Sequence, residues 1–177
     1  MPNTKWVIDP MHSEITFKVK HLMITTVTGF FKKFTMEAET DGEDFNTVSN
    51  FNFTANIDSI DTNNEPRDTH LKSADFFNAE ANPQLKFVGN TYEAAGEDAT
   101  IKGSLTIAGT TQPITLQAAF GGIVVDPYGQ TKAGFTVTGK ISRKAFGLTW
   151  SAITEAGNVV VGDEIKINAE VQLIKQA

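Results

Sequence analysis

The side chains best suited to metal or acid–base chemistry in this 177-residue chain are three histidines, His12, His21 and His70, and no cysteine offers a thiolate, a disulfide or a sulfur nucleophile. Zinc sites draw their histidines from short fixed spacings, such as two histidines four apart on one helix face. Here the three stand far apart on different segments, and His12-Ser13-Glu14 matches no ligand pattern. There is no Gly-x-Ser-x-Gly elbow and no Gly-x-x-x-x-Gly-Lys phosphate loop. No catalytic residue, metal or cofactor is expected on these grounds.

Two polar features stay open to more than one reading. His21 continues the parity of Ile15, Phe17 and Val19, so an unbroken strand turns its ring inward. It is then either a hydrogen-bonded core histidine or a polar handle inside a ligand cavity. Arg67, Asp68, His70 and Lys72 form the densest polar cluster. They read either as ordinary charges at a helix end or as groups that meet a phosphate or hydroxyl head.

The elements that position these residues are strands. Ile15, Phe17 and Val19 alternate with Glu14, Thr16, Lys18 and Lys20, which is the period-two pattern of a strand with one buried face. The pattern recurs through Phe51, Phe53, Ala55 and Ile57, through Ile101, Gly103, Leu105 and Ile107, and through Ile114, Leu116, Ala118 and Phe120. It returns at Phe135, Val137, Gly139 and Ile141, and at Ile165, Ile167, Ala169, Val171 and Leu173. Weaker runs cover Val27–Glu39 and Leu85–Thr91. Turn signals fall at Asp41-Gly42, Ala95–Asp98, Gly109–Pro113, Asp126–Gly129 and Ala156–Asn158. About eight strands joined as hairpins predict one all-β domain, 1–177, and a closed barrel removes its edges. Only the stretch from Asn64 to Asn78 lacks alternation. Its early proline predicts a short helical insert over about residues 64–78, whose Leu71, Phe76 and Phe77 cover an open barrel end.

Composition narrows the partners. A net charge of -6, with 15 basic and 21 acidic residues, argues against a nucleic-acid partner, which calls for a basic face. No run reaches the 18 or so apolar residues of a membrane span. Met1–Lys5 lacks the apolar stretch of an export signal, so a cytoplasmic location is expected for the sequence as written, and a periplasmic or extracellular one if it is a trimmed mature form. Phenylalanine is in excess, at 13 against 2 tryptophans and 2 tyrosines. Phe17, Phe53, Phe87, Phe120 and Phe135 lie on inward parity, while Phe31, Phe34, Phe76, Phe77 and Phe146 gather near strand ends or in the insert. Bulk without polar atoms suits an oily wall, and small inward residues such as Gly103, Gly139, Ala55, Ala118 and Ala169 leave space behind it.

The ordered set of motifs resembles the YceI-like family of polyisoprenoid-binding proteins. It runs from Trp6-x-Ile8-Asp9 and His12-Ser13-x-Ile15-x-Phe17-x-Val19-x-His21, through Val27-x-Gly29-x-Phe31-x-x-Phe34 and Arg67-Asp68-x-His70-Leu71, to Phe76-Phe77 and Pro83-x-x-x-Phe87. It continues through Gly103-x-Leu105-Thr106-Ile107, Gly134-Phe135, Phe146-Gly147-Leu148-x-Trp150 and Val161–Ile165. The resemblance implies a lipocalin-like, eight-stranded antiparallel barrel, often dimeric, that encloses a long isoprenoid chain without catalysing a reaction. Its ligand would be an isoprenoid quinone or a polyprenyl phosphate, and a homodimer is the expected assembly. On matching positions Phe17, Val19, His21, Phe31, Phe53, Leu105, Ile107 and Phe135 would line the tunnel. Phe34, Phe146 and Trp150 join them from the matched motifs, and Ile57, Phe87 and Leu116 from strand parity. Arg67, Asp68, His70, Phe76 and Phe77 would close or flank its mouth. The alternatives are an enzyme acting on an isoprenoid lipid with His21 or His70 as acid or base, and a filled barrel serving as an interaction module.

Overall fold

The structure, a computed structural model, describes residues 3–22, 24–74, 76–148 and 161–176. Among the described residues eleven strands make one antiparallel sheet that closes into eight staves. The first stave joins β1 (Asn3–Ile8) and β2 (Glu14–His21) across a 3-10 turn at Pro10–His12. The second joins β3 (Thr25–Phe31) and β4 (Phe34–Asp41) across the break at Lys32-Lys33, so the run read as one segment is two strands. The third is β5 (Asp44–Asn56), continued after a 3-10 turn by β6 (Ile60–Asp61). Helix α1 (Glu65–Lys72) follows, and then β7 (Gln84–Ala95), β8 (Asp98–Ile107), β9 (Thr110–Val125), β10 (Thr131–Ser142) and β11 (Val161–Lys175) complete the ring as a meander. β11 pairs with β10 along one edge and with both β2 and β1 along the other, which shuts the barrel.

Strict alternation explains β2, β8, β10 and β11, whose inward residues are those read from the sequence. β5 is different. It begins at Asp44, six residues before its period-two run, because the pairing with β4 slips twice and Asn50 sits at φ 50°. Its inward residues Phe45, Val48 and Phe51 are therefore three apart, as β-bulges demand. The turn placed at Gly109–Pro113 is shorter than expected. Ala108 and Gly109 both take positive φ, which makes a two-residue hairpin, and Pro113 enters β9. The predicted turn at Ala156–Asn158 lies outside the described residues.

How the barrel stays open depends on four glycines. A Cβ on Gly29 would lie 2.2 Å from Phe17 Cζ, one on Gly89 1.9 Å from Phe51 Cε2, one on Gly103 2.6 Å from Phe87 Cζ, and one on Gly139 2.3 Å from a Leu116 methyl. In each case a large side chain from the neighbouring strand is laid over a bare backbone. Phe17, Phe87 and Leu116 lie against the wall of the space above, and Phe51 lies at its lower limit. Below them the end carrying the β4–β5, β7–β8 and β9–β10 turns is plugged by aromatic packing, with Phe45 centred 4.8 Å from Trp6 and 4.9 Å from Phe135. Trp6 is fully buried, and its Nε1–H donates to Thr40 Oγ1 at 2.8 Å, so the plug carries a satisfied polar atom.

Near the same end Asp9 is buried beneath the 3-10 turn. Its carboxylate accepts from Lys132 Nζ at 2.8 Å and from the Met11 N–H at 3.1 Å, and lies 2.7 Å from His12 Nδ1. Lys132 also stands 3.5 Å from Asp126. Burial alone would push the Asp9 carboxyl up, but the Lys132 and His12 contacts, the Met11 N–H and the lysine charge outweigh it and hold the group at about 2.

Two measurements follow from this architecture. Gly103→Ala should destabilise by about 1–3 kcal/mol, because the new methyl would also meet the Val88 carbonyl oxygen at 2.4 Å. Gly134→Ala, where nothing lies within 4 Å, should be neutral or stabilise by about 0.4–1 kcal/mol, as read from urea midpoints. The second concerns pH. A carboxyl held at about 2 against an ordinary 3.8 stabilises fully above about pH 4 and loses that contribution as pH falls toward 2. Asp9→Asn should therefore be less stable than the wild type at pH 6, with the gap closing as urea midpoints are taken down to pH 2.5.

Candidate functional site

Above the aromatic plug the barrel holds a partly open cavity of about 200 Å³ that receives side chains from every stave. β2 contributes Ile15, Phe17 and Val19, β3 Phe31, β4 Met36, and β5 Phe51 and Phe53. β7 adds Leu85 and Phe87, β8 and β9 add Ile101, Leu105, Ile107, Ile114 and Leu116, and β10 adds Val137 and Ile141. Much of the inner face of β11, from Val161 through Ile167 and Ala169 to Val171, completes the wall.

Polar groups at this wall are bonded to backbone or turned to the exterior. Thr16 donates to the Asn168 carbonyl at 2.9 Å, and Asn52 is exposed on the barrel exterior. Arg143, 2% exposed, donates to the carbonyls of Gly162, Leu148 and Val161 at 2.9, 2.7 and 3.1 Å. Burial lowers its guanidinium from the usual value, opposed by the charge of Asp163. The wall therefore offers contact area and little directional bonding.

Ten of the residues singled out from sequence border this cavity: Phe17, Val19, Phe31, Phe53, Phe87, Leu105, Ile107 and Leu116 on strands, with Phe76 and Phe77 from the insert. Others stand elsewhere. Phe135 faces inward but at the depth of the plug, against Phe45 and Phe120. Phe34 stacks behind Phe53, with centroids 6.1 Å apart. Ile57 and Phe146 are buried in 3-10 turns and pack away from the lumen. Trp150 lies outside the described residues. His21 is exposed, because it ends β2 where the hairpin to β3 passes beyond the rim. It is neither a core histidine nor a polar handle within the cavity.

The mouth cluster also differs from expectation. Asn64 caps α1 by accepting from the Arg67 N–H at 3.0 Å, and Pro66 sits in the first turn. Asp68 accepts from the Thr62 N–H at 2.9 Å, while Arg67 donates from Nε to Thr62 Oγ1 at 2.8 Å and from Nη2 to the Thr62 carbonyl at 2.6 Å. These charges clamp the helix to the end of β6 and do not border the cavity. His70 meets Phe76 edge-on at 5.1 Å, outside the lining. No residue of the helix is fully buried, but its half-buried Leu71 joins Phe76 and Phe77 in the lid over the lumen. Residues that parity marks as inward, such as Ile15, Ile101, Ile114, Val137 and the β11 face, line the site although they are not among the site residues expected from sequence. Met36 and Leu148 carry no such signal.

Comparison with known proteins agrees with this geometry. The model of the YceI-like domain matches residues 6–173. The chain belongs to the YceI-like family. Over 172 residues it is 39% identical to a UPF0312 protein of Staphylococcus epidermidis, covering 96% of each chain. Among solved structures, the Campylobacter jejuni YceI protein superposes with a TM-score of 0.76 at 34% identity, covering 89% of this chain and 90% of that one. A polyisoprenoid binding domain from Saccharophagus degradans shares the fold, with a TM-score of 0.70 at 12% identity over 97% of this chain and 98% of that one. The eight-stranded antiparallel barrel with a short helical insert is thus the YceI-like fold.

The clamp and the cavity separate experimentally. Asp68→Ala, which leaves the Thr62 N–H without its acceptor, should lower stability by about 1–2 kcal/mol. It should change uptake of an apolar fluorescent probe less than twofold, measured by titration with dye.

Proposed function

We propose that this YceI-like chain binds the apolar tail of a polyisoprenoid lipid within its barrel and holds or carries it without chemical change. The observation that carries this reading is the cavity of about 200 Å³, lined from every stave by aliphatic and aromatic side chains, with Thr16 and Arg143 bonded to backbone carbonyls and Asn52 turned to the exterior. A dry cavity of about 150 Å³ lined in this way takes a benzene molecule. By that measure the lumen holds about eight carbons, between one and two isoprene units. Each buried methylene contributes roughly 0.8 kcal/mol, less the cost of association and of ordering the chain. A tail of greater length has its remaining units at the mouth or displaces the lining.

The name borne by the Saccharophagus degradans neighbour supports the ligand class, and the cavity weighs against a filled barrel. An isoprenoid quinone and a polyprenyl phosphate share the tail that the lumen fits. His21 and His70 both stand away from the lining, so neither is placed to move a proton on a lipid held there.

Organic extraction of purified protein followed by mass spectrometry should release prenyl lipids. Protein that yields none from several expression hosts, and that shows no saturable binding of added prenyl lipid, would overturn the reading. Ala169→Trp fills the lumen from β11 and should reduce prenyl-lipid binding at least tenfold while the barrel's circular dichroism is retained.

A further inference from the structure

The lumen narrows between two apolar spaces. Below the main cavity lies a second apolar void of about 60 Å³, bordered by Phe45, Val48, Tyr92 and Phe135 among others. Five side chains border both: Met36, Phe51, Ile101, Val137 and Val171. Met36, Phe51 and Ile101 stand on β4, β5 and β8, and Val137 and Val171 on β10 and β11 on the other wall. Phe51 is the single ring in this partition and is 5% exposed. Its ring lies over Gly89 and so bridges from β5 to β7.

We propose that Phe51 is an internal stop that sets how much of an apolar tail the barrel accepts, with the void beneath it a subsite closed to the wild-type protein. The proposal rests on the lipid reading above and adds a residue that decides length. Among the five, Phe51 has the largest apolar volume to remove, so its truncation joins the two spaces. Its position also depends on the absence of a side chain at residue 89. A methyl there would overlap the ring at 1.9 Å and displace it from its seat toward the axis. The same ring can thus be removed or advanced by two different substitutions.

The test is a series of prenyl alcohols of two, three and four isoprene units, measured by displacement of a fluorescent apolar probe. In the wild type the step from two to three units should gain less than threefold in affinity, since the lumen above Phe51 is already full. In Phe51→Ala the same step should gain at least tenfold, and the length at which affinity levels off should move by one unit or more. Phe51→Leu should move it in the same direction by less, which covers the case in which the alanine variant does not fold. Gly89→Ala should weaken binding of the two-unit alcohol at least tenfold.

The outcomes are distinguishable. A wild type that binds no prenyl alcohol overturns the lipid reading and the stop with it. A wild type that binds, with a length profile shared by both Phe51 variants, overturns the stop alone and leaves the lipid reading standing. A wild type that gains tenfold from two to three units also overturns the stop, because nothing then limits the tail at that depth.

Discussion

An eight-stranded barrel is narrow enough that inward side chains from opposite walls ordinarily meet and fill it. Whether this one is hollow depends on where its large rings go. Gly29, Gly89, Gly103 and Gly139 each leave a gap in the wall into which a neighbouring strand's Phe17, Phe51, Phe87 or Leu116 is laid. A glycine within a strand costs roughly 0.5–1 kcal/mol in backbone freedom. Burying a large apolar face against backbone offsets that, and the axis is left free above Phe51. The cavity is thus a product of paired positions, one very large and one empty, and no single residue creates it.

The two ends of the barrel are finished by different physics. At the closed end Trp6, Phe45, Phe120 and Phe135 interlock, Trp6 and Thr40 satisfy each other, and the Lys132–Asp9 pair ties β10 to the turn after β1. At the mouth one short helix with no buried residue of its own is held through Thr62, and three apolar side chains form the cover. Elements with so little buried area open at lower free energy than the core. Opening at the mouth is therefore cheaper than opening of the plug.

Much of this was legible in the sequence because period two reports which side of a strand a residue faces. It made β2, β8, β10 and β11 readable, and with them most of the cavity wall. It does not report depth along the axis. Phe135 faces inward as its parity requires yet belongs to the plug, and His21 keeps the parity of Val19 yet lies past the rim. Bulges erase the signal outright, which is why the first half of β5 was invisible. Gly103 and Gly139 were correctly seen as small inward residues. The space they provide is taken up by Phe87 and Leu116, and the hollow opens where those side chains would otherwise stand. Arg67 and Asp68 resembled a head-group site because their residue types suit one, but Thr62, a partner close in sequence, engages both.

β11 serves two neighbours on one edge, β2 beside its first part and β1 beside its last, with Trp6 opposite Lys175. The strand that closes the ring is therefore the last of the eleven to be synthesised, and its partners are among the first. Until it emerges from the ribosome, β10 and the β1–β2 stave present unpaired edges and the greasy interior is an open sheet. Such edges invite pairing between nascent chains. Folding to the native ring must wait for contacts between distant parts of the chain, which ties closure to the synthesis of β11.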